Sequence, residues 1–185
     1  MALHDQIASM EPAQAVKPPI QRLFLALWPD DDVRGQLLAH ASQWRWPVGC
    51  VPYQPADWHA TLHFIGPVAA GQVAHIAARV KMPFQPFDLV LDQAMLWPHG
   101  LAVLVAADVP LPLQTLHERL ADRLRRLDLP VEARPYRPHV TLARRADGAI
   151  PPPVAAPVVW RVRRFALVVS TGQQEQRYRV LQAYM

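Results

Sequence analysis

Apolar positions along this chain recur with two spacings, one helical and one strand-like, and the changes between them predict its elements. Arg22-Leu23-Phe24-Leu25-Ala26-Leu27-Trp28 is a short, mostly apolar run and predicts a buried strand. Pro29 and the acidic triple Asp30-Asp31-Asp32 then open a helix, because carboxylates favour the positive end of the helix dipole. Val33, Leu37, Leu38 and Ala41 line its apolar face. Gly49 to Asp57 is a proline-punctuated loop, and a strand over 59–65 follows, stopping at the strong breaker Gly66-Pro67. A second helix is predicted over 70–81, with Val73, Ile76, Ala77 and Val80 on one face. Residues 87–97 and 101–106 predict a hairpin around Pro98-His99-Gly100. The clearest helix covers 113–127, where Leu113, Leu116, Leu120, Leu124 and Leu127 recur at helical spacing. A strand over 139–143, a loop at Pro151-Pro152-Pro153 and two strands near 160–170 and 177–183 close the chain. Residues 1–20 are polar, contain proline and show no period, so a flexible tail is expected ahead of one domain over 21–185.

Composition narrows the class. The 185 residues suffice for one sizeable core or two small lobes that share one. No stretch reaches the ~20 apolar residues of a membrane span. The first residues lack a basic start and an apolar run, so no signal peptide is expected. A single cysteine, Cys50, cannot form an intrachain disulfide. A cytoplasmic enzyme or binding domain, without membrane association and monomeric, is the expectation. The net charge is +4, and all the basic residues except Lys17 and Lys81 are arginines, which suit bidentate contact with phosphate.

The feature that carries chemistry is a repeated word. His59-Ala60-Thr61-Leu62 returns as His139-Val140-Thr141-Leu142. Chance would place roughly 0.2 His-x-Thr pairs in a chain of this composition. Both copies sit in strand-like runs, where residues i and i+2 share a face. The first strand then shows His59, Thr61, His63 and Ile65 on one face, and the second shows His139, Thr141 and Ala143. Two facing pairs would supply a base, an acid and two neutral donors, enough to cleave a phosphodiester. Each half has a helix, a proline-rich loop and then the motif, which points to an internal duplication. The expected architecture is α+β, with duplicated lobes around a central cleft. A metal site lacks ligands: His59 and His63 would lie ~13 Å apart on a strand, and no Cys/His cluster completes a set. No metal or other cofactor is expected. His4, His40, His75, His99 and His117 have no partner motif.

His-x-Thr-Leu-x-Phe-Ile-Gly, followed after about eighty residues by Arg-Pro-His-Val-Thr-Leu-Ala-Arg, resembles the two-histidine phosphoesterases. Within them the chain is similar to the RNA 2′,3′-cyclic phosphodiesterases, also called 2′-5′ RNA ligase-like proteins. The opening Arg22 to Leu27 and the ending 167–181 resemble that family's first and last strands, so the likeness covers about 21–185. The resemblance implies a bilobal fold with antiparallel sheets lining a groove and helices outside. It implies metal-independent opening of an RNA 2′,3′-cyclic phosphate to a 2′-phosphate, with 2′-5′ ligation as the reverse. His59 is provisionally the acid and His139 the base, although the motif is symmetric on this point. Thr61 and Thr141 would donate to the non-bridging oxygens.

Arg144 matches a phosphate-binding arginine of the family. Five residues beyond His139 its strand parity is wrong, so the strand must end or bulge near Ala143. Phe64 holds the equivalent place in the first motif and is a candidate for stacking on a nucleotide. His63 is a candidate phosphate contact, and Arg137 a candidate contact to the RNA backbone. The expected partners are RNA with 2′,3′-cyclic ends or a small cyclic nucleotide such as ADP-ribose 1″,2″-cyclic phosphate. A non-catalytic RNA-binding module is the rival from another class.

Overall fold

The computed structural model describes residues 19–173 and 175–185. Of the expected tail, only 19 and 20 fall among them; the rest lies outside the described residues. In chain order the elements are β1 (Ile20–Leu27), α1 (Asp31–Ala41), β2 (Val51–Pro52), β3 (Ala60–Ala69) and α2 (Val73–Val80). There follow β4 (Phe87–Leu91), β5 (Gln93–Trp97), β6 (Leu101–Val105) and α3 (Leu111–Arg125). β7 (His139–Arg144), β8 (Val158–Val162), β9 (Phe165–Ser170) and β10 (Tyr178–Tyr184) complete the chain. Two four-stranded sheets, ordered β10-β9-β1-β3 and β2-β7-β6-β5, are joined by the small pair β4-β8. All pairings are antiparallel. This is the expected α+β fold, and the two motif strands β3 and β7 pack side by side where the sheets meet.

The continuous apolar run of β1 has its reason in two cores. Leu23, Leu25 and Leu27 enter the main core, which also holds Val33 and Leu37 of α1, Ile76 and Val80 of α2, and the leucines of α3. Phe24 and Ala26 point the other way, into a small cluster with Ala166 and Val168 of β9. A central strand buried on both faces has no polar positions to alternate with. α1 is capped by Asp30, whose Oδ1 accepts from Val33 N at 3.0 Å. Gln36 in α1 pairs with the backbone of Val159, which ties the helix to β8.

Several expected boundaries move. β3 does not stop at Gly66-Pro67 but runs to Ala69. It lies at a sheet edge, where a proline without an N–H costs no ladder bond, and Gly66 takes φ 85° at an irregularity beside Ile65. The apolar run at 87–97 is two strands in different sheets, parted at Asp92, whose carboxylate accepts from Ala107 N. The run near 160–170 likewise splits at the exposed pair Arg163-Arg164, where the chain changes sheets. The expected loop at 49–57 contains the short strand β2, paired with β7. The second helix begins as a 3-10 turn at Ala70–Gln72 and is α-helical only from Val73. Leu38 is 54% exposed, because α1 packs through Val33, Leu37 and His40 instead.

Leu25, fully buried at the centre of the main sheet, tests this arrangement. Leu25→Ala should lower unfolding free energy by about 2–5 kcal/mol, read from urea denaturation. A change under ~1 kcal/mol would contradict its place in the core.

Candidate active site

Each motif strand contains one extra residue directly after its threonine. In β3, Thr61 pairs with Ala26 and His63 with Leu25, so Leu62 is left without a partner in the ladder. In β7, Thr141 pairs with Val103 and Ala143 with Ala102, so Leu142 is the extra residue. The bulge buries two neighbours in succession, Leu62-His63 and Leu142-Ala143. The side chain after them returns to the face of the threonine. Arg144 is thereby brought round with His139 and Thr141, as strand parity required. The same shift turns Phe64 onto the groove, where it is 64% exposed.

One expected site residue is displaced by this shift. His63 is not on the groove face beside His59 but is buried at 3% exposure, stacked on His117. Ile65 is buried as well, at 1%. Simple alternation fails after the bulge, and the first-motif bulge is where the sequence reading of that strand goes wrong.

His59, Thr61, His139, Thr141, Arg144 and Phe64 line one cavity of about 630 Å³. The two imidazoles are held in the same way. His59 Nδ1 lies 2.7 Å from the Asp57 carbonyl, and His139 Nδ1 lies 2.7 Å from the Arg137 carbonyl. A neutral imidazole donates its Nδ1–H to such a carbonyl, which leaves Nε2 free to accept a proton. In each case the carbonyl belongs to the residue two positions earlier. The duplication therefore extends beyond the motif to the backbone that orients it.

The surroundings of the two rings differ. His59 is enclosed by Phe24 at 5.0 Å, Trp28 stacked at 5.4 Å and Tyr178 edge-on at 4.9 Å, all between ring centroids. Among the described residues His139 has one aromatic neighbour, Trp97, at 4.4 Å. Burial lowers His59 to about 4; its bond to Asp57 opposes this and the nearby His139 adds to it. His139 is lowered too, chiefly by burial, against the bond to Arg137 and with the Arg137 charge.

Sequence reading missed four contributors. Tyr53, just beyond β2, carries Arg144 on one contact at 5.2 Å and Arg177 on another at 5.1 Å, each over its ring. Arg177 also reaches Asp57, at 3.9 Å. Tyr178, pushed up to about 12 mainly by burial and by Tyr53, stays a neutral hydroxyl at the groove. Arg22 of β1 lines the same cavity. Arg137 sends its guanidinium over the Trp97 ring at 5.1 Å, on the side of an adjoining cavity of about 430 Å³ that shares Thr61, Phe64 and His139. Among the described residues no group of three or more His, Cys, Asp or Glu is placed to hold a metal ion. Nor is any helix long and apolar enough to cross a membrane.

Residues 29–174 match the model of the 2′-5′ RNA ligase superfamily. The chain belongs to that superfamily. It is 32% identical over 139 residues to the RNA 2′,3′-cyclic phosphodiesterase of Escherichia coli K12, covering 72% of this chain and 78% of the relative. A crystal structure of a phosphoesterase superposes with a TM-score of 0.77 at 27% identity, over 89% of this chain and 97% of that one. Escherichia coli LigT complexed with 3′-AMP superposes with a TM-score of 0.76 at 26% identity, over 89% and 97% of the two chains.

Acid should unfold this superfamily member early. Burial lowers the imidazoles of His40, His59, His63, His117 and His139 below their ordinary value. In the unfolded chain they titrate near ~6.5, so below that pH the unfolded state takes up protons first. Their contribution is complete above about 6.5 and is lost as pH falls toward the folded values, about 4 for His59 and His117. Tm should drop between pH 7 and pH 5; a Tm that holds or rises across that interval would refute the neutral, buried assignment.

Proposed function

We propose that this cyclic phosphodiesterase opens the 2′,3′-cyclic phosphate at an RNA end to a 2′-phosphomonoester by paired-histidine acid–base catalysis. The observation that carries the reading is the matched pair of imidazoles, each tied by Nδ1 to a backbone carbonyl, on one cavity with Thr61, Thr141 and Arg144. The phosphodiester sits between them. One Nε2 removes the proton of the attacking water as its oxygen bonds to phosphorus. The other imidazole, protonated, gives its proton to the departing 3′ oxygen as that P–O bond breaks. Thr61 and Thr141 donate to the non-bridging oxygens, and Arg144 balances their charge. Attack by an RNA 5′ hydroxyl in place of water, with the same 3′ oxygen leaving, would form a 2′-5′ linkage, the ligation reaction.

His59 serves as acid and His139 as base. Burial lowers His59 to about 4, so its proton arrives with the substrate, whose negative phosphate favours the imidazolium. The relative's name supports an RNA substrate, and so does the adjoining cavity with Phe64, Trp97 and Tyr136, which offers aromatic surface to a base. Arg137 stands at its rim for the RNA backbone. A cytoplasmic monomer remains the expected setting.

The direct test is turnover of a synthetic RNA ending in a 2′,3′-cyclic phosphate, with the product position read by ³¹P NMR. A 2′-phosphate is expected, formed faster than the opening of ADP-ribose 1″,2″-cyclic phosphate and undiminished in excess EDTA. A 3′-phosphate product, or activity lost in EDTA and restored by zinc or manganese, would overturn the mechanism.

His59→Ala and His139→Ala should each cost at least ~10²-fold in kcat, the double variant far less than the product of the two. Thr61→Ala and Thr141→Ala should cost roughly 10- to 10³-fold. Near-normal turnover in His139→Ala would remove the acid–base account.

The pH profile should be bell-shaped and belong to the pair. Because burial lowers both imidazoles, the optimum of kcat/KM should fall below about 6.5, where the pair holds one proton. Both limbs of kcat should lie higher, since the bound phosphate anion favours protonation. Limbs of kcat at or below those of kcat/KM would contradict this electrostatic account.

A further inference from the structure

The lining of the 630 Å³ cavity extends past the histidines and threonines to Arg22, Gly66 and Ser170. β1 forms the floor at this end. Its ladder with β9 is unbroken from Arg22 to Leu27, so alternate side chains share a face there. Phe24 lies on the groove face, 5.0 Å from His59, and Ala26 follows opposite Thr61. Arg22, two residues before Phe24, falls on the same face and lines the cavity with it.

The ground between Thr61 and Arg22 is open. Phe64 stands opposite Phe24 in the ladder, with ring centroids 6.3 Å apart, and is exposed. Gly66 comes next on β3, and a side chain there would meet nothing within 4 Å of its Cβ. Ser170 of β9 pairs with Arg22 on one side and with Tyr178 of β10 on the other. Arg22, Ser170 and Tyr178 thus form one row across the sheet, and all three line the cavity.

Charge at this end is not balanced by the protein. Asp57 is the one carboxylate among the lining residues, and it lies 3.9 Å from Arg177. Among the described residues no carboxylate forms an ion pair with Arg22. A guanidinium without a carboxylate offers its fork of N–H donors to phosphate oxygens.

The spacing suits a nucleotide. Ala26, opposite Thr61, and Arg22 are four residues apart, roughly 13 Å along a strand. The long arginine side chain can close much of that interval, leaving a span that one nucleotide bridges. Phe64 lines both this cavity and the adjoining one, so a nucleotide with its base there can direct its 5′ carbon toward Arg22.

We propose that Arg22, with Ser170 beside it, forms a second phosphate subsite. It takes the 5′ phosphate of the nucleotide whose cyclic phosphate lies between His59 and His139. The enzyme then prefers the end of an RNA chain to a free nucleoside cyclic phosphate. This deepens the RNA reading above and rests on it.

The wild-type protein should bind adenosine 2′,5′-bisphosphate about tenfold more tightly than 2′-AMP in isothermal titration calorimetry, because one charge-assisted contact is added. Most of that gain should vanish in Arg22→Gln. Arg22→Lys, which keeps the charge, should retain part of it. The gain should also shrink in high salt, since Arg22 is exposed. Turnover supplies the matching comparison. kcat/KM for an adenylyl dinucleotide ending in a 2′,3′-cyclic phosphate should exceed that for adenosine 2′,3′-cyclic phosphate. Arg22→Gln should lower the first several times more than the second.

Equal affinity of the wild-type protein for the two nucleotides would overturn the subsite. So would a gain that survives Arg22→Gln intact, or a loss in that variant that is the same for both nucleotides. If the wild-type protein opens neither cyclic phosphate, the proposed function falls, and the two affinities still test the subsite.

Discussion

Everything distinctive about the groove depends on one extra residue in each motif strand. A regular strand sends residues i, i+2 and i+4 to one face. Under that rule the histidine and threonine would share a face with His63 in one half and Ala143 in the other, and Phe64 and Arg144 would face away. The bulge at Leu62 and at Leu142 reverses the parity after the threonine. It turns Phe64 and Arg144 inward and sends His63 into the interior. An arginine and an exposed aromatic ring are thereby added to two pairs of polar groups. In the second half the extra residue still pairs on its other side, where Tyr53 N donates to the Leu142 carbonyl at 2.8 Å beyond β2.

The second constraint is the fixed tautomer. With Nδ1 of both histidines engaged by a carbonyl two residues back, Nε2 of each is left without that bond. Here the two halves are equivalent. They differ in what encloses the rings. His59 sits in the small apolar cluster on the far face of β1, among Phe24, Trp28 and Tyr178, whereas Trp97 is the one aromatic neighbour of His139 among the described residues. A duplicated backbone with unequal surroundings gives two chemically identical groups different proton affinities.

The positive charge at the groove is organised by an aromatic side chain. Tyr53 receives both Arg144 and Arg177, and Arg177 in turn approaches Asp57, whose carbonyl holds His59. The ring supplies a surface on which two guanidiniums lie without a carboxylate to cancel either fully. Trp97 does the same for Arg137 in the other half. Cationic groups held over neutral rings keep their charge uncancelled.

The motif pair, the strands that bear it and the superfamily were legible in the sequence, because a repeated word and a period of two are local properties. The capped start of α1 and the leucine stripe of α3 were legible for the same reason, and so was the alternation of β7 as far as Leu142, beyond which the bulge buries Ala143 instead of leaving it on the groove face. The need for the strand to end or bulge before Arg144 followed as well, from the family resemblance that places Arg144 at the phosphate taken together with strand parity. What could not be read was which residues the fold brings together from afar. His117 stands 54 positions from His63 and carries no motif, so only packing of α3 on β3 reveals it. Tyr53 and Tyr178 come from opposite ends of the domain. Continuous apolar runs hid the sheet changes at Asp92 and at Arg163-Arg164, since a strand reads alike in whichever sheet it pairs. The sequence by itself determined the chemical groups and their local spacing. Tertiary structure alone decided their facing, their proton affinities and their supports, because those depend on contacts between distant segments that no local period records.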